Sequence, residues 1–301
     1  MEKELEYQKL NTLTTGKIHI SFSEFSKFQQ CGYKHLLEKY LGLVVEPPSI
    51  HLIFGNSIHK AIEIGIKTRA DVQKRVNCFR EDFYTEMMNK MRDNEDFNKM
   101  NNFLGEGENI IRYLSTEKIL KKYRVIGVEY PLYEQIFGVF YFKGFIDLIV
   151  QDIETGIYVI IDWKTSGEEW DVSKKKKDEV FMCQMKLYKY FFSKKENVPL
   201  DRIQCKYVVL NRLKNKKYPE LGYGQLQTVE IYSNPEEIES ALYKVAETIK
   251  KIHIENDFPK AKLIDLKKNC FFCAHKTNFG LCNNSNAQSK ERIKASREVL
   301  I

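Results

Sequence analysis

Polar and apolar positions alternate or recur along the chain in ways that predict its elements. Gly144-Phe145-Ile146-Asp147-Leu148-Ile149-Val150 and Ile157-Tyr158-Val159-Ile160-Ile161 are β-branched and aromatic runs. The polar segment Asp152–Gly156 lies between them and supplies a turn, so the two runs read as a β-hairpin. A turn centred between Glu154 and Thr155 sets Asp147 directly across from Asp162. Lys164 then shares the face of Asp162, because strand side chains repeat with period two. Two acids and a lysine on one face of an apolar hairpin are the chain's most conspicuous feature.

Upstream, the pattern has helical period. Ser21 precedes Phe25 and Phe28 as an N-cap, with Glu24 as its capping-box partner, and the apolar stripe runs through Leu36, Leu37 and Tyr40 towards Gly42. Cys31 falls in this helix, or at its end if Gly32 interrupts it. After Pro47-Pro48, the segment Phe54–His59 leads into a second helix with Ile58, Ile62 and Ile66 on one side and His59 and Glu63 sharing another. Residues 71–122 read as two or three further helices with a polar bridge near Asn89–Asn102. Strands are expected at Tyr123–Tyr130, Gln135–Val150, Ile157–Lys164, Cys205–Leu210 and Leu226–Tyr232, with a helix at Glu179–Ser193. Asn234, Pro235 and Glu237 mark the start of a last helix that ends before Pro259. The fold class is α/β, a mixed sheet flanked by helices with a helical N-terminal elaboration.

Composition narrows the classes of function. The 301 residues are 43% hydrophobic and 13% aromatic, enough for a sizeable core. No window approaches the ~18 uninterrupted apolar residues of a membrane span. The opening MEKELEYQKLN has no apolar signal region, so a cytoplasmic location is expected. No phosphate loop of the GxxxxGK[ST] type occurs, which excludes an NTPase motor of that kind and makes any helicase a separate partner. The net charge is +7, with lysine and arginine gathered at Lys174–Lys177, at Arg212 to Lys217 and at Lys290 to Arg297. Basic runs beside an acidic site favour a polyanionic substrate.

Seven cysteines, an odd number, argue against a disulfide framework. Cys78, Cys183 and Cys205 lie in apolar segments and read as core residues. Cys270, Cys273 and Cys282 are close enough to be metal thiolates, with Cys31 as the fourth ligand or His275 as an alternative for zinc.

Asp147 and Asp162 are suited to Mg²⁺ or Mn²⁺, which take one or two protein carboxylates and leave room for substrate phosphate. Lys164 is placed to orient water or to stabilise charge on a phosphate. Together with Gly144-Phe145-Ile146-Asp147 and Asp162-Trp163-Lys164, the elements Gly55–His59 (G-x-x-x-H) and Gln184–Tyr188 (Q-x-x-x-Y) resemble the RecB-like branch of the PD-(D/E)XK nucleases. The resemblance spans roughly residues 20–290 and implies a restriction-endonuclease-like core. It implies that His59, Asp147, Asp162 and the Trp163 main-chain oxygen hold the metal, that Lys164 is catalytic, and that Gln184 and Tyr188 lie on the substrate side. Glu129, on the preceding strand, is a further candidate for the acidic cluster. Some members of that branch carry a [4Fe-4S] cluster on one N-terminal and three C-terminal cysteines. The same is implied here for Cys31, Cys270, Cys273 and Cys282, although Gly32 follows Cys31 where a proline is common and the last cysteine spacing is long.

The expected organisation is a flexible segment 1–19 and a nuclease domain 20–290, followed by a basic tail 291–301. Within the domain lie a helical part 20–122, an α/β core 123–257 and a cysteine tail 258–290. The expected activity is hydrolysis of DNA, single- or double-stranded, from an end, in a repair or recombination setting. A structure-specific endonuclease and a non-catalytic nucleic-acid-binding subunit are the competing expectations.

Overall fold

The computed structural model describes residues 17–42, 48–90, 94–114, 116–212 and 226–260. The chain falls into two compact units. The first comprises 48–134 and 143–241 among the described residues, and the second 17–42, 135–142 and 242–260.

The first unit is a sheet between helical layers. Helix α3 (Ile50–Thr68) starts at Ser49, whose hydroxyl accepts the Leu52 N–H, and ends at Arg69 in the left-handed conformation. It therefore begins before Phe54 and contains Gly55–His59 within its length, where the apolar periodicity suggested only an approach to the helix. Helices α4 (Val72–Lys90), α5 (Asn94–Tyr113) and α6 (Thr116–Lys122) follow. The polar stretch near Asn89–Asn102 is thus helical in most of its length, not a bridge, because tertiary packing of α4 and α5 outweighs its weak apolar pattern. Phe54, Phe79, Phe83 and Phe103 meet edge-on or stacked at ring separations of 5.3 to 6.4 Å. These rings and Ile58, Ile62 and Ile66 of α3 pack on Leu148, Val150, Ile161 and Val208 of the sheet. Each such side chain contributes about 1.5–3 kcal/mol of burial.

The strands are β2 (Tyr123–Phe137), β3 (Phe140–Asp152), β4 (Tyr158–Ser166), β5 (Ile203–Asn211) and β6 (Leu226–Ile231). Their order is β3-β4-β5-β6, with β2 also on β3. β3 and β4 pair antiparallel in the expected register, Leu148 opposite Ile161 and Gln151 opposite Tyr158. β4 and β5 are parallel, which sets Asp162 beside Tyr207. The crossover between them carries α7 (Val172–Lys176) and α8 (Glu179–Glu196), and α8 covers the face opposite α3. Helix α9 (Pro235–Lys250) opens with a full capping box: Asn234 Oδ1 accepts the Glu237 N–H and Glu237 accepts the Asn234 N–H.

In the second unit, β1 (His19–Ser21) leads into α1 (Phe22–Gln30), capped by Ser21 through the Glu24 N–H. The Glu24 carboxylate is committed elsewhere: it is buried against the His35 ring and the Lys39 ammonium. Cys31 is extended, ends α1 and caps α2 (Gly32–His35), its sulfur accepting the Lys34 N–H at 3.4 Å. The chain returns here at its last described residues, where Tyr33 N–H donates to Pro259 O at 3.1 Å. Pro259 sits so close that a Cβ on Gly32 would meet its ring at 2.8 Å. The run Gln135–Val150, expected as one strand, is broken: Gly138 at φ +51° turns β2 back into β3. Only glycine adopts that conformation without cost, and its neighbours' alternation hides the turn. Cys183 and Cys205 are buried as expected, but Cys78 is half-exposed on the outer side of α4.

Candidate metal-binding active site

All the candidate catalytic residues except the cysteines lie in the first unit. The hairpin register is what assembles them. One step beyond the Leu148–Ile161 pair, Asp147 and Asp162 arrive at the same level, and Asp147 Oδ2 accepts the Trp163 N–H at 2.8 Å. Asp162 is 2% exposed. Its Oδ1 accepts the Gln184 amide at 3.0 Å and its Oδ2 faces the Lys164 ammonium. Burying a carboxylate is costly unless it is paired and hydrogen-bonded; here Oδ1 is hydrogen-bonded, whereas Oδ2 has the Lys164 ion pair and no hydrogen bond among the described residues.

His59 comes from α3. Gly55, one turn earlier, allows the helix to approach β4, since a Cβ there would stand 3.3 Å from Thr165 Oγ1. That approach sets His59 Nδ1 3.5 Å from Asp147 Oδ2, with 28% of the side chain open to solvent. Burial holds the imidazole at about 4, with Lys164 pushing the same way against the attraction of Asp162, so the ring is neutral at pH 7. The Trp163 carbonyl is a hydrogen-bond partner of that ring.

Glu129 completes the group from β2. It adopts φ +51°, a strained value for a non-glycine residue, and β2 loses its strict alternation of buried and exposed positions around it. Burial, then repulsion from Glu63, pushes its carboxyl up to about 7. Asp147 is raised well above the usual carboxylate range by burial and then by Asp162. One ligand atom from each of His59, Glu129 and Asp147 lies within 4.8 Å of the others. A neutral imidazole and two carboxylates whose charges oppose each other fit a hard divalent cation such as Mg²⁺ or Mn²⁺. Asp162 stands directly behind this group, held by Lys164 and Gln184.

Gln184 and Tyr188 lie one turn apart on α8 and are both buried. Gln184 Nε2 donates to Asp162 and, at 3.2 Å, to the Tyr188 hydroxyl. In this structure they face the acid rather than the surface expected of substrate contacts. Sequence reasoning passed over Tyr207. Its ring is fully buried, its hydroxyl donates to Phe181 O at 2.9 Å and lies 3.4 Å from Gln184 Oε1, and the Lys164 ammonium is 5.5 Å from its centre. The signal was a tyrosine in an apolar strand, which acquires meaning only once β5 is paired with β4.

The basic runs divide. Lys174 pairs with Asp171, and Lys175 covers the Trp170 and Phe181 rings. Arg212 is committed to Glu106 at 2.6 Å and to the Phe103 ring, so it is structural. Lys214, Lys216, Lys217, the run Lys290–Arg297, the cysteines 270, 273 and 282, and His275 lie outside the described residues.

A mixed sheet with an acid–acid–lysine hairpin at its centre defines a nuclease-like class, and comparison with known proteins agrees. The profile of the PD-(D/E)XK nuclease superfamily matches residues 19–278, and the chain belongs to that superfamily of nucleases. Its substrate is accordingly nucleic acid, and members of the superfamily typically use divalent metals. A Eubacterium rectale crystal structure, provisionally named an exonuclease, matches with TM-score 0.55 at 12% identity over 91% of this chain and 92% of that one. A structure named SSO0001 matches at TM-score 0.35 and 16% identity, over 84% of this chain and 94% of that one. No curated protein matches. Among the described residues no helix is long and apolar enough to cross a membrane.

Proposed function

We propose that the chain is a metal-dependent DNA nuclease that degrades from strand ends, with His59, Glu129, Asp147 and Asp162 around the metal and Lys164 at the reacting phosphate. The observation that carries this reading is the convergence of one ligand atom each from His59, Glu129 and Asp147 within 4.8 Å, beside the Asp162–Lys164 pair. A divalent cation there supplies Lewis acidity to water and neutralises charge on the phosphate. Asp147 is oriented by the Trp163 N–H, and His59 offers a neutral ring nitrogen. The Trp163 carbonyl, turned towards that ring, is the main-chain oxygen available to the same cation.

Lys164 pairs with Asp162 and presents its ammonium at the lip of the site, where it stabilises negative charge developing on a phosphoryl oxygen. Gln184 and Tyr188 act behind Asp162: the amide fixes one carboxylate oxygen so that the other meets Lys164. The provisional name of the Eubacterium rectale protein supports an exonuclease over an internal cutter. The test uses end-labelled single- and double-stranded DNA with Mn²⁺, beside a covalently closed circle. End-dependent release of label by wild type, lost in Asp162→Ala, is expected. Equal activity in the two proteins defeats the reading, and cleavage of the closed circle defeats the end requirement.

The cysteine staple belongs to the same proposal. Cys31 is half-exposed at a helix cap, and the chain leaves for Cys270 beside it, through the Tyr33–Pro259 hydrogen bond. That proximity supports a shared metal or [4Fe-4S] group for Cys31, Cys270, Cys273 and Cys282. Anaerobic purification with iron and zinc analysis distinguishes them: a brown, iron-loaded protein is expected, and a colourless zinc-loaded one overturns the cluster.

A further inference from the structure

A second polar cavity lies in the first unit, at the end of the sheet where β4 and β5 begin. It has a volume of about 820 Å³, within the range of roughly 300–1,000 Å³ common for small-molecule sites. Lys189 of α8 lines it. This lysine is 9% exposed, and its ammonium has no hydrogen-bond or ion-pair partner among the described residues. Its stem is buried while its ammonium opens into the cavity, so a mostly enclosed lysine presents its charge there with no acid of the protein set against it among the described residues. Its electrostatic neighbour is the Cys205 thiol, which burial pushes up to about 12. Cys205 therefore stays neutral and offers Lys189 no thiolate.

The other charges of the cavity sharpen the point. Lys206 holds its ammonium 5.7 Å from the centre of the Tyr123 ring rather than on an acid. The acids are already engaged. Asp152 accepts the N–H groups of Glu154 and Thr155 at 3.1 and 3.0 Å and faces Lys122. Glu237 closes the α9 capping box and pairs with Lys186, and Glu230 accepts the Tyr232 hydroxyl. Two cations are thus left to a ligand. Beside them stand two tyrosine rings that already meet ammonium groups, Tyr123 and, 72% exposed at the rim with Lys176 5.9 Å from its centre, Tyr232. An aromatic face open to solvent beside available ammonium groups suits a planar ring bearing phosphate.

We propose that this cavity binds a phosphorylated ligand of mononucleotide size, its phosphate on Lys189 and Lys206 and its base against Tyr232. It is a site apart from the catalytic group: Lys189 and Cys205 belong to the second half of α8 and the start of β5, whereas Asp162 is met by Gln184 and Tyr207.

Equilibrium dialysis or calorimetry in EDTA tests this with deoxyadenosine monophosphate, deoxyadenosine and inorganic phosphate. The full-length proteins are wild type, Lys189→Met, Lys206→Met and Asp162→Asn, each checked for folding by circular dichroism. Saturable binding of the monophosphate is expected, tighter than either phosphate or the nucleoside. It should weaken at least tenfold in Lys189→Met and severalfold in Lys206→Met, and persist in Asp162→Asn. Should Lys189→Met not fold, the Lys206→Met result and the Tyr232→Ala loss of preference for monophosphate over phosphate carry the same decision. No saturable binding to wild type overturns the proposal. So does binding that is lost in Asp162→Asn and kept in the lysine variants, which assigns the nucleotide to the catalytic centre. Binding of a single-stranded oligonucleotide but not of the mononucleotide overturns it in favour of a strand-holding groove.

Discussion

Helix α8 buries two polar side chains against β5, little more than one turn apart, and treats them differently. Gln184 is saturated: its amide holds Asp162 and Tyr188, and its carbonyl oxygen lies near the Tyr207 hydroxyl. Lys189 is enclosed to the same degree, but among the described residues its ammonium has no such partners. At Gln184 the protein itself supplies the whole hydrogen-bond network, which is how a site is held in one geometry before substrate arrives. At Lys189 the described residues supply no such network, and the ammonium is left facing the cavity. The same helix thus carries a finished polar layer and an unfinished one.

The largest expected effects belong to the finished layer. Asp162→Ala should abolish cleavage, by at least about a thousandfold. Lys164→Ala should lower kcat by roughly 10²–10³, the size found for removal of one preorganised electrostatic donor. Single-turnover assays at saturating Mn²⁺ measure both. Retention of more than a tenth of wild-type rate in either protein would mean that the Asp162–Lys164 pair is only a structural ion pair.

Much of this layer is legible in the amino-acid sequence, and for a physical reason. Hairpin pairing follows from local turn chemistry, so the opposition of Asp147 and Asp162 could be read from the segment Asp152–Gly156 alone. The start of α9 was equally local, since Asn234 and Glu237 cap each other within one turn. What escaped was non-local or conformational. Tyr207 meets Asp162 through a parallel pairing whose register no local turn sets. Glu129 was a candidate for the acidic cluster, but the left-handed backbone in mid-strand at that residue is one that no residue preference predicts for glutamate. The turn at Gly138 was concealed by apolar neighbours on both sides. Nothing in the segment Glu179–Ser193 sets Lys189 apart from the helix's other lysine, Lys186.

A step smaller is Gln184→Leu. It keeps the packing and removes the amide, leaving Asp162 Oδ1 buried without its donor. A stability loss of about 1–3 kcal/mol is expected from that orphaned oxygen. A fall in kcat of ten- to a hundredfold with little change in KM should accompany it if the amide acts by positioning the acid it bonds. An effect on KM alone would return Gln184 to the substrate side.

Glu129 tests the acidic cluster by pH. Its carboxyl is raised from an ordinary value near 4.5 to about 7, so the folded, metal-free protein binds this proton more tightly than the unfolded chain does. The stabilisation is present below about pH 4.5 and is lost as pH rises through 7. Melting in EDTA should therefore show a fall in stability between pH 5 and 8, of at most about 3 kcal/mol from this group. Glu129→Gln should flatten that fall, and Mn²⁺ should offset it in wild type more than in the variant. A Glu129→Gln profile that is parallel to wild type would remove Glu129 from the cluster.

The smallest effect separates the two layers most cleanly. Lys189→Met keeps the length of the mostly buried side chain, removes its charge and leaves no oxygen or nitrogen orphaned among the described residues. In phosphate-free buffer it should leave stability unchanged or raise it by about 1 kcal/mol, opposite in sign to Gln184→Leu. Chemical denaturation of both variants measures the contrast. Adding deoxyadenosine monophosphate should then raise the midpoint of wild type and not that of Lys189→Met, since a ligand stabilises only the fold that binds it. If Lys189→Met instead costs as much as Gln184→Leu, the ammonium already has its partner inside the protein, and α8 carries two finished layers.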